Sequence, residues 1–308
     1  TLYLDCHNSK TGAACWDFGG GRTAFQSSGA YYTPWQSTGY YMPTTDSVWT
    51  FVGRNSPTNA FGMACIKNVS TGTPADCDTP FVSLRQPGYG ISGAWGAYGT
   101  GEGVRVGDRV YSRAARSGEN LLCFDLSTAA ACPSQPYNIG SPTGVNNGGN
   151  NRLLASGNRV YFSTGNALGC FDTTTNALCA GFAGGSGGTT YAAGALYLVT
   201  DAGGTATKVC AYGTNYANSS AGCWKVSDGT ATTPATNQPF VFSAQAEGWG
   251  AIANAGSKLY YLAMASSAPY ATTVWCWDYA TAAACAGFTE AQIGNGGYTV
   301  IVDPTDPT

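Results

Sequence analysis

Short apolar and aromatic runs alternate with polar, glycine-rich turns along most of this chain of 308 residues. The segment 157–182 shows the pattern most clearly, with runs at 159–162, 168–172 and 178–182. Runs of this length, rich in β-branched and aromatic residues and bounded by Gly, Ser, Thr and Asn, predict β-strands. The segment therefore predicts a strand, a turn, a second strand, a second turn and a third strand.

Cysteines flank the second of these turns, so a hairpin would place Cys170 opposite Cys179. Four pairs along the chain have eight residues between the cysteines, and two further pairs are predicted to be the same hairpin with a longer turn. Proximity favours local pairing among the many connectivities that 12 cysteines allow. The predicted disulfides are Cys6–Cys15, Cys65–Cys77, Cys123–Cys132, Cys170–Cys179, Cys210–Cys223 and Cys276–Cys285. Six disulfides indicate an oxidising, extracellular compartment.

Two more strands can be placed before most of these hairpins. The nearer strand is predicted at 47–51, 109–112, 159–162, 195–198 and 258–261. The earlier one is predicted at 103–106, 151–155, 189–193 and 249–253. Four strands in a unit of about fifty residues are typical of a β-propeller blade. A β-helix would need a shorter repeat, and a sandwich would not repeat its sequence.

The predicted fold is an all-β propeller with six four-stranded blades, each with one disulfide-stapled outer hairpin. Five complete units contain Cys65, Cys123, Cys170, Cys210 and Cys276. The sixth is split between an N-terminal hairpin at 2–18 and a strand at 298–302, which would close the ring and remove free edges. Seven blades remain possible if one blade lacks cysteines. We expect a single domain over 1–302 and a linker-like tail at 303–308, as in a piece of a larger multidomain surface protein.

The repeated text is RVYSRAARSGENLLCFDLSTAAAC at 109–132 and RVYFSTGNALGCFDTTTNALC at 159–179. It resembles the repeat of the PQQ-like (quinoprotein dehydrogenase-like) propellers. The docking Trp of that family is mostly replaced by Cys here, and only Thr11-Gly12 and Thr71-Gly72 keep its Thr-Gly turn. The family's enzymes hold PQQ with adjacent cysteines and a stacking Trp. Since this chain has no Cys-Cys dipeptide, the resemblance implies the scaffold without a cofactor.

Charge and hydropathy exclude several classes of function. With 14 Lys and Arg against 17 Asp and Glu, the chain has no basic stripe to neutralise nucleic-acid phosphates. No apolar run approaches the roughly 18 residues that a membrane-spanning helix needs. One histidine, His7, and paired cysteines argue against a zinc site, and no EF-hand loop is present, so no metal is predicted.

Two glutamates are the weak catalytic candidates. Glu102 and Glu247 each precede a predicted inner strand, where two carboxylates could act as the acid and base of a glycoside hydrolase or lyase. They could equally face solvent or bond to the glycine-rich backbone. Asp125, Asp172 and Asp278 recur just after a Cys-aromatic pair, which predicts Asx-type turn capping and not an active site.

Aromatic rings beside amides suit the faces and hydroxyls of sugars. Such groups occur in segments predicted to line the channel, although the same rings could pack in the core. The candidate ligand-binding residues are Trp35, Tyr40, Trp95, Tyr98, Asn150, Asn151, Glu247 and Trp249. The sequence therefore predicts a secreted or cell-surface binding or adhesion module for a glycan or a surface protein. The alternatives are a glycoside hydrolase or lyase, and a structural spacer.

Overall fold

All the regular structure described is β-strand, which confirms the all-β class. The computed structural model describes residues 3–4, 23–24, 31–32, 39–54, 60–84, 103–113, 120–139, 153–163, 168–182, 196–212, 221–232, 252–264, 271–288 and 291–295. The chain divides into two units, Thr1–Gly140 with Asn147–Gly149, and Ser141–Asn146 with Asn150–Thr308. Each unit is built from antiparallel sheets whose strands follow one another along the chain.

The first unit contains a short pair of strands and two five-stranded sheets. The short pair is β1 (Tyr3–Leu4) with β2 (Thr23–Ala24). Sheet 1 consists of β3 (Tyr31–Tyr32), β4 (Gly39–Met42), β5 (Ser47–Arg54), β6 (Ala60–Lys67) and β7 (Ala75–Ser83), with β3 and β4 both pairing with β5. Sheet 2 consists of β8 (Val104–Val106), β9 (Arg109–Arg113), β10 (Asn120–Asp125), β11 (Ala130–Ala131) and β12 (Tyr137–Asn138), with β11 and β12 both pairing with β10.

The second unit contains three sheets of the same design. Sheet 3 is β13 (Leu153–Ser156), β14 (Arg159–Ser163), β15 (Leu168–Asp172) and β16 (Ala177–Leu178). Sheet 4 is β17 (Leu196–Thr200), β18 (Ala206–Tyr212), β19 (Ala221–Lys225) and β20 (Ala231–Thr232). Sheet 5 is β21 (Ile252–Ala255), β22 (Lys258–Met264), β23 (Ala271–Asp278), β24 (Ala283–Ala284) and β25 (Ala291–Asn295), with β25 also pairing with β23. The four-strand unit predicted from the repeat is confirmed in these sheets.

A glycine turn joins the first two strands of sheets 2, 3 and 5. Gly107, Gly157 and Gly256 have φ angles of 59°, 56° and 56°, in the left-handed region. Only glycine adopts this region without steric cost from a Cβ atom, which explains why the turn text recurs before each second strand. The turn therefore fixes the register between the first and second strands of these three sheets.

The aromatic–cysteine pairing across strands 2 and 3 is found in four sheets. The directly facing pairs are Trp49 with Cys65, Tyr111 with Cys123, Tyr161 with Cys170, and Tyr260 with Cys276. In each case the cysteine is bonded to a partner in or just after the next strand, as predicted: Cys65–Cys77, Cys123–Cys132, Cys170–Cys179 and Cys276–Cys285. The disulfide therefore joins strands 3 and 4, and the aromatic side chain of strand 2 lies beside it on the same face of the sheet.

The disulfide of sheet 4 joins different strands from those predicted. Cys210 and Cys223 are bonded, but they face each other directly on the second and third strands. Cys223 occupies the usual third-strand position, and Cys210 occupies the position of the aromatic residue. Thr232 stands on the fourth strand, where its hydroxyl donates to the Cys223 carbonyl at 3.2 Å. The prediction that this pair is the same hairpin with a longer turn is therefore wrong.

The strand assignment in the same sheet also requires correction. The run 195–198 was predicted to be a second strand, but Leu196–Thr200 is the first described strand of sheet 4 and pairs only with β18 among the described strands. The second strand is Ala206–Tyr212, whose Lys208-Val-Cys210 matches the Arg-Val-Tyr text of sheets 2 and 3. Because cysteine stands in the place of tyrosine, this strand lacks the aromatic residue that marks the repeat.

Within each unit, one face of a sheet packs against the opposite face of the next sheet. In the first unit, Trp49 and Cys65 of sheet 1 pack with Val110 and Phe124 of sheet 2, and the Trp49 and Phe124 ring centroids lie 4.7 Å apart. In the second unit, sheet 3 packs on sheet 4, and sheet 4 packs on Leu259 of sheet 5. The disulfides Cys65–Cys77, Cys170–Cys179 and Cys210–Cys223 lie in these interfaces and are part of the hydrophobic core.

Several predicted features lie outside the described residues. These are the disulfide Cys6–Cys15, most of the hairpin 2–18, and the strands at 189–193 and 298–302. The described pairing of the N-terminal segment is Tyr3 with Ala24 and Leu4 with Thr23.

Candidate functional site

The sequence-predicted site residues fall mostly outside the described part of the chain. These are Glu102, Glu247, Trp35, Trp95, Tyr98, Asn150, Asn151 and Trp249. Their roles in catalysis or ligand binding stay predictions. Among the candidates, the structure describes Tyr40, which lies on β4 of sheet 1.

The Tyr40 side chain is buried in the interface of sheets 1 and 2. It belongs to the same apolar cluster as Met42 and Phe51, and its ring meets the Phe51 ring edge-on with centroids 6.2 Å apart. The described contacts of Tyr40 are therefore core contacts. Its predicted role in ligand binding remains a prediction.

The next residue, Tyr41, is the exposed aromatic of this strand. Side chains alternate between the two faces of a strand, so burial of Tyr40 and Met42 turns Tyr41 outward. The residue is 44% exposed, and its hydroxyl donates to Asp46 Oδ1 at 3.1 Å. For this strand, the sequence predicts Tyr40 and not Tyr41 as the ligand-binding candidate. Because both residues are tyrosines, the sequence of Gly39–Met42 does not show which of them faces the core.

Asp46 connects two turns at this end of sheet 1. It lies in the turn between β4 and β5, and the Ser70 N–H from the turn after β6 donates to its Oδ1 at 2.9 Å and its Oδ2 at 3.2 Å. The Val69 N–H donates to the Asp46 carbonyl at 3.3 Å. Desolvation raises the Asp46 pKa, but hydrogen bonds from Ser70 and Tyr41 outweigh it and bring the pKa below its ordinary value. The carboxylate is therefore ionised at neutral pH.

The three repeated aspartates act as turn caps, as predicted. Oδ1 of Asp125 accepts the Ser127 N–H at 2.9 Å. The equivalent bonds run from the Thr174 N–H to Asp172 at 2.8 Å and from the Ala280 N–H to Asp278 at 2.9 Å. These bonds two residues onward are Asx-turn bonds, which hold the chain as it reverses towards the fourth strand. These carboxylates therefore have a structural role in their turns.

Sheet 4 carries a variant of the same turn. Lys225 replaces the capping aspartate, and Asp228 takes over by accepting the Thr230 N–H at 2.8 Å. Hydrogen bonds with Thr230 lower the Asp228 pKa. The capping aspartate therefore lies three residues further along the chain, and the turn keeps an Asx-type hydrogen bond although its sequence differs from the repeat.

Other site types find no support in the described residues. No group of three or more His, Cys, Asp or Glu side chains in these ranges could hold a metal ion. All ten described cysteines are disulfide-bonded, so this part of the chain offers no free thiolate nucleophile. The described residues also include no helix that is long and apolar enough to cross a membrane.

Comparison with solved structures places the fold among propeller-like proteins. A provisionally named 6-phosphogluconolactonase from Bacteroides fragilis NCTC 9343 is similar over 98% of this chain and 81% of its own, with 12% identity and a TM-score of 0.54. Another, from Bacteroides uniformis ATCC 8492, is similar over 95% of this chain and 77% of its own, with 13% identity and a TM-score of 0.52. At these identities the likeness concerns the fold alone.

A europium-containing methanol dehydrogenase is similar over 59% of this chain and 40% of its own, with 15% identity and a TM-score of 0.38. This TM-score is too low to support the PQQ-like resemblance.

Neither of the two sequence comparisons identifies a family. No protein-family model matches the sequence, and no curated protein matches it. The resemblance to PQQ-like propellers therefore stays one of repeat text.

Proposed function

We propose that this chain is a secreted or cell-surface binding module that recognises a glycan or a protein partner. The observation that supports this proposal is how the repeated acidic residues are used. Asp125, Asp172 and Asp278 each bond to the backbone of their own hairpin, which leaves recognition to the segments that do not repeat. Those segments carry the predicted channel-face residues Trp95, Tyr98 and Trp249.

An extracellular location is part of the proposal and is supported by the disulfides. Five are described, and each joins residues at most 13 positions apart. Reducing cytosol does not maintain such bonds, whereas extracellular and periplasmic proteins keep them. Peptide mapping of the native protein without reductant should recover these five bonds and a sixth between Cys6 and Cys15. Free thiols in the native protein would contradict the proposed location.

The proposed scaffold is a six-bladed ring closed by the N- and C-terminal strands. The spacing around Cys6 supports a sixth blade. Strand β1 pairs with β2 through the residues three and two positions before Cys6. Strand β10 pairs with β12 through the residues at the same two positions before Cys123. Removing residues 298–302 should then lower the melting temperature of the whole chain. Unchanged stability after this deletion would argue against closure by the C-terminal strand.

Binding can be tested with a glycan array and, separately, with a pull-down from cell-surface protein extracts. The variants Trp95→Ala, Tyr98→Ala and Trp249→Ala are expected to lose retention of the same ligand. The variant Thr174→Ala, in an exposed capping turn of sheet 3, serves as a surface control. A chain that binds neither glycan nor protein in these assays would refute the proposed function.

An enzyme is the second candidate, favoured by the names of the two Bacteroides neighbours. Because those neighbours are named as lactonases, a propeller-like scaffold of this kind is compatible with a hydrolytic enzyme. Glu102 and Glu247 remain the proposed acid and base of a glycoside hydrolase or lyase. Turnover of a lactone or oligosaccharide that is lost in both Glu102→Gln and Glu247→Gln would favour the enzyme. Turnover unaffected by either substitution would exclude these residues.

A further inference from the structure

We propose that Tyr41 and Asp46, at the turn end of sheet 1, form a subsite for one neutral pyranose ring of a glycan. The inference rests on the proposed glycan-binding function and assigns it a subsite among the described residues. Two features support the site, and each comes from a different part of sheet 1. One is an exposed ring held in position, and the other is a carboxylate with remaining acceptor capacity.

The ring of Tyr41 is positioned before any ligand arrives. Its backbone lies between the buried residues Tyr40 and Met42, and its hydroxyl is fixed by the 3.1 Å bond to Asp46. Nevertheless, the residue is 44% exposed. A ring already held in one orientation loses little conformational freedom when a sugar stacks on it, which favours binding. The CH groups of a pyranose supply the matching apolar face.

The Asp46 carboxylate retains room for a ligand hydroxyl. Three donors bond to it: the Tyr41 hydroxyl, the Ser70 hydroxyl, and the Ser70 N–H, which Oδ1 and Oδ2 share at 2.9 and 3.2 Å. A carboxylate has about four lone-pair positions, so one more donor can be accommodated. Bonds to a charged acceptor are stronger than neutral ones. A sugar stacked on Tyr41 could therefore direct one hydroxyl towards this carboxylate.

The surroundings favour a neutral sugar. Thr45, Ser70, Thr71 and Thr73 are exposed beside the two turns, and the Thr71 and Thr73 hydroxyls lie 3.1 Å apart. Hydroxyl groups can donate to and accept from sugar hydroxyls. The negative charge of Asp46 would repel an acidic sugar at this position. The subsite is accordingly assigned to uncharged hexoses and not to uronic or sialic acids.

The test uses the full chain and hexasaccharides of the cello, manno and galacto series, with hexagalacturonate as the acidic comparison. Binding is measured by calorimetry for the wild type and for Tyr41→Ala, Tyr41→Phe and Asp46→Asn. The variant Leu178→Ala is the control, because Leu178 is an exposed apolar residue, 52% exposed, beside a turn of sheet 3. Melting temperatures are recorded for every variant.

Loss of the ring should weaken binding of a neutral hexasaccharide by about tenfold. Tyr41→Phe and Asp46→Asn, which keep the size of the side chain, should each weaken it about threefold, and Leu178→Ala should leave it unchanged. If Tyr41→Ala unfolds, the other two variants decide. Wild-type binding that all three variants retain would overturn the subsite and leave glycan binding intact. A wild type that binds only hexagalacturonate, or no hexasaccharide, would overturn the subsite, and the array result then decides the wider function.

Discussion

The Asn254 side chain links two sheets of the second unit, and replacing it offers the sharpest test of how neighbouring sheets hold together. Asn254 Nδ2 donates to the Leu198 carbonyl at 3.1 Å, and the Leu198 N–H donates to Asn254 Oδ1 at 3.2 Å. Leu198 lies on the first described strand of sheet 4, and Asn254 lies on the first strand of sheet 5. The amide therefore bonds to the edge of β17 as a neighbouring strand would.

Replacing Asn254 with alanine should remove both hydrogen bonds. Each contributes about 0.5–1.5 kcal/mol net, so the expected loss is about 1–3 kcal/mol. Both residues are half-buried, so water can partly replace the amide, which favours the lower half of this range. Alanine fits the strand, because Ala155 holds the same position before the glycine turn of sheet 3. The measured effect should therefore come from the lost bonds.

Two assays check this expectation. Chemical denaturation gives the change in the free energy of unfolding, and hydrogen exchange reports the Leu198 amide directly, which should lose protection in Asn254→Ala. Asn254→Asp is the matched variant, since it keeps an acceptor for the Leu198 N–H and places a second oxygen against the Leu198 carbonyl. It should destabilise at least as much at neutral pH. Unchanged exchange at Leu198, together with a loss below about 0.3 kcal/mol, would refute the reasoning.

Three further predictions concern the repeated hairpins. Replacing both Cys170 and Cys179 with alanine should cost roughly 2–3 kcal/mol by chemical denaturation, since the bond closes a short loop in the unfolded chain; a loss below about 0.5 kcal/mol would contradict this. Ala129 has a φ of 50°, so Ala129→Gly should raise the melting temperature, with a gain of about 0.5 kcal/mol, whereas the strand control Ala131→Gly should lower it; equal effects would argue against strain. Hydrogen bonds from Thr174 lower the pKa of Asp172, so the stability that this carboxylate contributes is present above the ordinary carboxyl pKa and is lost as the pH falls through the lower folded value. Melting curves should therefore show a smaller loss of stability in acid for Asp172→Asn than for the wild type. An equal loss would refute the assignment.

Much of the repeat was predictable because its interactions are local. Four described disulfides were predicted together with their hairpins, since each joins cysteines 9 or 12 positions apart across one turn. The capping role of Asp125 was predictable for the same reason, because an Asx bond reaches only two residues onward. Local rules of this kind act on any short segment with the right residues, whatever surrounds it.

The sheet-4 errors show where local pattern misleads. The bond between Cys210 and Cys223 was predicted correctly, but its place in the sheet was not, because Cys210 stands where the second strand of the other units has an aromatic residue. The text of residues 223–230 already matched the third-strand turn of the other units. That match indicates that Cys223 lies on the third strand, which leaves Cys210 for the second.

By itself, the sequence determined the all-β class, the succession of short strands and turns, and the local pairing of the cysteines. These depend on side-chain alternation, turn chemistry and neighbours within about a dozen residues. Only the tertiary structure decided that Asn254 bonds to Leu198, which is 56 positions away, and that Asp46 holds Ser70 across two turns. Such contacts depend on how whole strands and sheets meet, and no short stretch of sequence carries that information. The same packing buries Tyr40 and leaves Tyr41 exposed, which is why the candidate subsite emerged from the fold.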